Sequence, residues 1–406
     1  MVSTVEVVLI AAIPFIAGLV GWATNVVALH MTFYPLEFVG FWEPWVGWQG
    51  IIPRRAGKMS TIAVRLITTE LLPVDELLAG IDAGAVSSAV SSVLRTEVDA
   101  VVARVGEKHA PTVWALTSSE VKAEVGEVAM RAAEEILGEL MEVVTEDIEA
   151  FVDLEGMVVA FLSTHKAVLN ELFQEVGAEE FDFIRRSGFV LGFGFGVIQM
   201  VVWIFFRSWW VLPLAGFVVG YATNWIALKI IFRPIHPHSI CGLYTCHGLF
   251  LKRQEEVSAQ YAALVADRLI TPHKVFTELA VGRLSHKVYA LLLAKVDAAL
   301  DNWVGPGLPL TVLYLGANGY ARLKRQIAHR MFVRLPVILE PAEAVTKDSM
   351  GLEPKLYDEL VALEYDRFER MLHPIFEEDE IVLILVGAVL GLLVGGVQAG
   401  VQLSVA

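Results

Sequence analysis

The chain has 406 residues, 55% of them hydrophobic, with a mean hydropathy of +0.58 and a formal net charge of −15. That hydropathy is too high for an ordinary soluble domain, and the acidic balance lacks the basic footprint that nucleic-acid binding needs. Its two cysteines, Cys241 and Cys246, sit in one loop, which excludes a disulfide framework and fits a reducing compartment.

The first element is an apolar run over 5–33, long enough to cross a bilayer as a helix. No basic residue precedes it, and it carries Asn25 and His30, so it reads as a retained span rather than a secretory signal. A polar region follows over 34–186. It opens on FWEPWVGWQGIIPRRAGK, where Trp42, Trp45 and Trp48 beside the basic pair Arg54–Arg55 read as an interfacial belt in contact with lipid headgroups. Further on, Val125, Val128, Ala132, Ile136, Leu140 and Val143 recur at three- and four-residue steps, which predicts a helix over 121–151. Residues 60–184 hold 24 Asp and Glu against 7 Lys and Arg. The net acidity therefore lies in this first lobe, as a solvated helical surface or a docking face for a basic partner.

A second apolar run over 188–206 and a third over 209–232 are separated by a short loop. A second polar region spans 233–380, and a last apolar run spans 381–402. The second polar region opens on HPHSICGLYTCHGLFLKR, which keeps a basic pair, Lys252–Arg253, and loses the tryptophans. His236, His238, Cys241, Cys246 and His247 suit zinc or copper by type. Their spacing matches no familiar structural zinc site and the first half has no equivalent, so no metal or cofactor is expected.

The two halves run in register at an offset of 199 residues: GWATNVVALHMTFYP at 21–35 against GYATNWIALKIIFRP at 220–234, and GFVLGFGFGVIQ at 188–199 against GAVLGLLVGGVQ at 387–398. The expected architecture is all-α, an integral membrane protein of four spans in two tandem parallel repeats, residues 1–207 and 208–406. Each repeat has a leading span, a helical lobe and a trailing span, with both lobes on one side. Basic residues flank the spans on the lobe side, which predicts cytoplasmic lobes and outside termini in the cell (inner) membrane, or lobes in the matrix or stroma if the membrane is that of an organelle.

Gly18, Gly21, Asn25 and Ala28 share one helix face, as do Gly220, Asn224 and Ala227. The trailing spans answer with Gly188, Gly192, Gly196 and Gln199, and with Gly387, Gly391, Gly395 and Gln398. Small residues let membrane helices approach closely, and an amide turned to lipid is costly. Asn25 and Asn224 should therefore point inward, to meet each other or to bond the glutamine ends of the trailing spans. Thr24 and Thr223 should satisfy themselves on their own helix backbone.

Together these residues resemble the bacterial membrane family called "domain of unknown function 445" (YheB/YjiN-like). The resemblance rests on Gly21, Thr24, Asn25, Ala28 and Pro35, on the Pro53-Arg54-Arg55 turn, and on His373, Pro374, Phe376, Gly387, Gly391 and Gln398. The second half departs at Leu251–Lys252, and the first has Gln174–Glu175 where the second has His373–Pro374. The resemblance implies a membrane location and helical lobes, and no activity. No phosphate loop, nucleophile elbow or metalloprotease motif occurs, so no enzyme is expected. The expected role is binding or transfer of lipid or another apolar ligand, or scaffolding of a partner at the membrane. The alternatives are a channel or solute transporter lined by the intramembrane Asn and Gln, and a structural subunit of a membrane complex.

Overall fold

The structure is a computed structural model that describes residues 4–43, 45–78, 80–240, 244–305, 316–370 and 380–405. It is an all-α protein, and among the described residues four helices are long and apolar enough to cross a membrane. In chain order the first half runs α1 (Thr4–Phe33), a hairpin of β1 (Val39–Trp42) and β2 (Val46–Trp48), α2 (Ile51–Arg54), α3 (Ala56–Leu66), α4 (Val74–Leu78), α5 (Ala83–His109), α6 (Pro111–Leu116), α7 (Ser119–Glu146), α8 (Leu154–Thr164), α9 (Lys166–Val176) and α10 (Ala178–Phe205). The second half runs α11 (Val211–Phe232), a hairpin of β3 (His238–Ile240) and β4 (Tyr244–Cys246), α12 (Leu249–Lys252), α13 (Gln254–Leu264), α14 (Pro272–Val281), α15 (Ser285–Val304), α16 (Ala317–Leu339), α17 (Glu343–Met350), α18 (Leu352–Ala362) and α19 (Glu380–Val405).

Local chemistry sets many of these boundaries. Asp82 caps α5 by accepting from the Gly84 and Ala85 N–H groups, which have no partner within the helix. Thr271 does the same for α14 through the Lys274 N–H, with Pro272 at the first helical position. Gly351, at φ 53°, ends α17 in the left-handed region that other residues avoid. The spans match the apolar runs closely, with one difference. The trailing span expected over 188–206 is the end of a longer helix that begins at Ala178. Its first turns carry Glu179, Glu180, Asp182, Arg185 and Arg186.

Contacts divide the chain into two compact units, each drawn from both halves. Unit 1 comprises residues 1–66, 160–261 and 357–406, and unit 2 comprises 67–159 and 262–356. In unit 1, α1 pairs antiparallel with α10 and α11 with α19. Ile13, Trp203, Val211, Leu212 and Ala399 form a buried cluster that draws on all four helices. Features recur between the halves at 198 or 199 residues. Tyr34–Pro35 and Arg233–Pro234 are both cis, and Gly50 N–H donates to Pro35 O as Gly248 N–H donates to Pro234 O. A π-helical turn follows α3 at Ile67–Leu71 and α13 at Val265–Leu269.

Unit 2 is a helical bundle. In it α5 packs on α7 and α16, α15 on α7 and α16, and α14 on α15, α16 and α17. Glu97 of α5, nearly buried, accepts from Arg334 Nε of α16 at 2.9 Å, and Lys295 of α15 meets Glu139 of α7 at 2.6 Å.

Candidate functional site

The intramembrane amides lie in two separate helix seams. Asn25, fully buried, donates its Nδ2 to the Ile184 carbonyl of α10 at 2.5 Å. Asn224 donates its Nδ2 to the Leu383 carbonyl of α19 at 2.8 Å. Neither of the two expected pairings occurs. The amides do not meet, and each bonds the start of its partner helix rather than the glutamine end. Gln199 lies 15 residues beyond Ile184, about 22 Å along the helix axis. The reason is backbone proximity. A Cβ on Gly188 would sit 2.5 Å from the Gly21 carbonyl and 2.6 Å from Asn25 Nδ2. At that approach a neighbouring carbonyl lies nearer to the amide than any side chain does.

Gly192 meets the Ala17 carbonyl in the same way, and Gly196 meets Pro14. In the second seam Gly220 faces Gly387, Gly216 faces Gly391, and Gly395 faces Leu212, each too close for a Cβ. The Asn25 and Asn224 Oδ1 atoms and Gln398 Nε2 are buried without a hydrogen-bond partner among the described residues. Thr24 and Thr223 bond the Gly21 and Gly220 carbonyls of their own helices, as expected.

The interfacial residues divide. Trp42 and Trp45 are 69% and 81% exposed on the first hairpin. Trp48 instead turns its indole N–H onto the Met31 carbonyl at 3.2 Å, half-buried. Arg54 and Lys252 are exposed. Arg253, expected at the headgroups, turns inward. Its side chain is 16% exposed, and the guanidinium meets Glu179 at 3.1 Å, Glu180 at 2.8 Å and Glu256 at 2.8 Å. The bonds from Glu256, joined by the charge of Glu180, hold its proton even more firmly than usual. Arg55 is half-buried and also engaged. A charge of this kind is drawn inward when a buried carboxylate, here Glu180, needs a donor.

His236 pairs with Asp366 at 3.2 Å, and a ring nitrogen of His247 lies 3.0 Å from the Ile235 carbonyl. In the first half Gln49 Nε2 makes the corresponding bond, to Leu36 O at 2.7 Å, which makes His247 a structural link at the base of its hairpin. His238 is exposed. Cys241 lies outside the described residues, as do His373, Pro374 and Phe376. Among the described residues no three His, Cys, Asp or Glu side chains gather around a point that could hold a metal.

The feature that sequence reasoning missed is a partly open apolar cavity of about 220 Å³ in unit 2. Helix α7 walls it with Val125, Val128, Ala132 and Ile136. These four belong to the stripe that predicted the helix, and they are only half-buried. The packed face lies beside it, on Met130, Ala133, Leu137, Met141 and Val144. Val98 and Val102 of α5, Leu292 and Val296 of α15, and Ile327 and Met331 of α16 complete the walls. Trp114 of α6 closes one side against Gly106, where a Cβ would overlap its indole. The Lys122 ammonium rests 5.2 Å from that ring, a cation–π contact that fixes the indole. Two apolar faces on one helix were the signal in the sequence.

A search among known proteins finds short matches. A UPF0754 membrane protein of Bacillus pumilus (strain SAFR-032) is 30% identical over 112 residues, 27% of this chain and 28% of that protein. One from Synechococcus sp. (strain JA-2-3B'a(2-13)) is 37% identical over 109 residues, 26% of each chain. One from Shouchella clausii (strain KSM-K16) is 42% identical over 67 residues, 16% of this chain and 18% of its own. This chain is a membrane protein. It spans about a quarter of the length of the first of these relatives, and their shared name differs from the family label that the motifs suggested. No family profile and no solved structure matches it.

Proposed function

We propose that the protein is a non-enzymatic, duplicated membrane hairpin whose helical unit outside the spans holds an apolar chain, most simply one acyl chain of a membrane lipid. The cavity of about 220 Å³ in unit 2 carries this reading. An apolar cavity of about 150 Å³ stays dry and takes up benzene, so a larger one with wholly apolar walls favours a hydrocarbon guest over water. The recurrence of hairpin, π turn and amide bond at 198 or 199 residues supports duplication. The basic flanks of the spans favour cytoplasmic lobes with outside termini. The acidic first lobe offers a face to a basic protein partner.

The test is organic extraction of the purified full chain followed by mass spectrometry, beside the cavity-filling variant Ala132→Trp. The reading expects one hydrocarbon species per chain in the wild type, reduced at least tenfold in the variant, with both proteins equally folded. Equal lipid in the two proteins, at the level of bulk annular lipid, overturns it.

A further inference from the structure

We infer that the lobe-side end of α11 is a binding pocket for the phosphate headgroup of a glycerophospholipid, present in the second half of the chain and not in the first. Trp225 and Lys229 lie four residues apart on one face of α11, and Arg233 is the extended residue just past its end. From Trp225 to the helix end at Phe232 the face runs from apolar span to polar end over about 10 Å. These residues line a pocket of about 580 Å³ that is continued by His236, His238 and Asp366.

The chemistry is graded along the pocket. Trp225 and Ile230 are 46% and 37% exposed and offer hydrocarbon contact at the level of the span. Lys229 has no ion-pair partner among the described residues. Arg233 lies 3.4 Å from the buried carboxylate of Glu369, an ion pair without a hydrogen bond, and leaves half its side chain open. A planar guanidinium whose donors are left open, beside an unpaired ammonium, suits a phosphodiester oxygen pair. His236 is anchored to Asp366 at 3.2 Å, so the outer rim combines donors with one carboxylate. A guest that is apolar at one end and anionic in the middle satisfies the whole face. Free phosphate satisfies only the part around Lys229 and Arg233.

The first half lacks this set. At 199 residues earlier, Lys229, Arg233 and His236 become His30, Tyr34 and Glu37. The His30 and Tyr34 rings stack at 5.2 Å, and Glu37 is taken by Lys166 at 2.9 Å. The two hairpins are therefore alike in backbone and different in headgroup chemistry.

The experiment uses the full chain in vesicles of phosphatidylglycerol and phosphatidylcholine that contain a trace of a photoactivatable phosphatidylglycerol. Labelled sites are mapped by proteolysis and mass spectrometry. The inference expects labelling within 225–238 to exceed that within 26–39 several-fold. Lys229→Gln should lower it about fivefold, the effect of one interfacial charge, while Lys229→Arg retains it. Inorganic phosphate at 10 mM should leave it unchanged. Equal labelling of the two segments, or no effect of Lys229→Gln, overturns the site. Loss of labelling with inorganic phosphate overturns the lipid as its occupant and assigns the pocket to the free anion. The cavity variant Ala132→Trp should label as the wild type does, so this site and the acyl-chain reading fail separately.

Discussion

Arg253 shows how much a single side chain depends on partners distant in sequence. In the sequence it is the second member of a basic pair near a span, and such pairs usually face headgroups. In the fold it neutralises Glu180, 73 residues earlier and 3% exposed. Removing the guanidinium leaves that carboxylate buried and unpaired, which typically costs about 3–5 kcal/mol. Arg253→Ala should therefore lower the denaturant midpoint of the detergent-solubilised protein strongly, whereas Arg54→Ala, at an exposed position, should leave it almost unchanged. The double variant Arg253→Ala/Glu180→Gln should recover part of the loss, because the orphaned charge is gone. If the double variant is no more stable than Arg253→Ala alone, the cost lies in packing rather than in the unpaired charge. Nothing in the local sequence of Arg253 distinguishes it from Lys252, which stays exposed. The difference arises only when α10 and α12 are brought side by side.

At the level of elements, apolar runs and glycine spacing made the spans and their partner faces legible. Hydrocarbon leaves a helix few other ways to be stable, so length and composition nearly determine the result. The amide bonds were less legible, because their partners are main-chain carbonyls that come within reach only at glycine-permitted separation. That dependence can be measured. A methyl group on Gly391 would collide with the Gly216 carbonyl, while one on Gly194 would meet nothing within 4 Å. Gly391→Ala should destabilise the solubilised protein by about 1–3 kcal/mol through overpacking. Gly194→Ala should be neutral or up to about 1 kcal/mol stabilising, since alanine is the better helix former. Thermal melts of the two variants should move in different directions, and similar melts would mean that the seams are looser than these distances imply. Helix α7 gives the converse lesson. Its periodicity correctly predicted a helix, but a stripe of Val, Ala and Ile reads the same whether it meets a neighbour or an empty space. The second apolar face was there to read, but not whether it would meet a neighbour or a space until α5, α15 and α16 were in place.

For the whole molecule, chain connectivity constrains what the proposed duplication can be. The loop between α10 and α11 is only residues 206–210, so the two helices must run in opposite directions. With α1 antiparallel to α10 and α11 to α19, the ends at Phe33, Ala178, Phe232 and Glu380 all belong to one end of the four-span bundle. Arg54 and Lys252 each follow such an end by about 20 residues, at matching positions in the two halves. Parallel repeats with cytoplasmic lobes therefore require these two positions to share a compartment and the short loop to lie in the other. In a background with Cys241 and Cys246 replaced by serine, Ser208→Cys should react with a membrane-impermeant maleimide on intact cells. Arg54→Cys and Lys252→Cys should react only after the membrane is opened. Reaction at 54 and 252 from opposite sides would remove the parallel duplication. Reaction at 208 from the same side as both would remove the four-span path itself. A clean reversal, with 208 protected and 54 and 252 reactive, would keep the fold and overturn only the sidedness, which rests on the basic flanks alone.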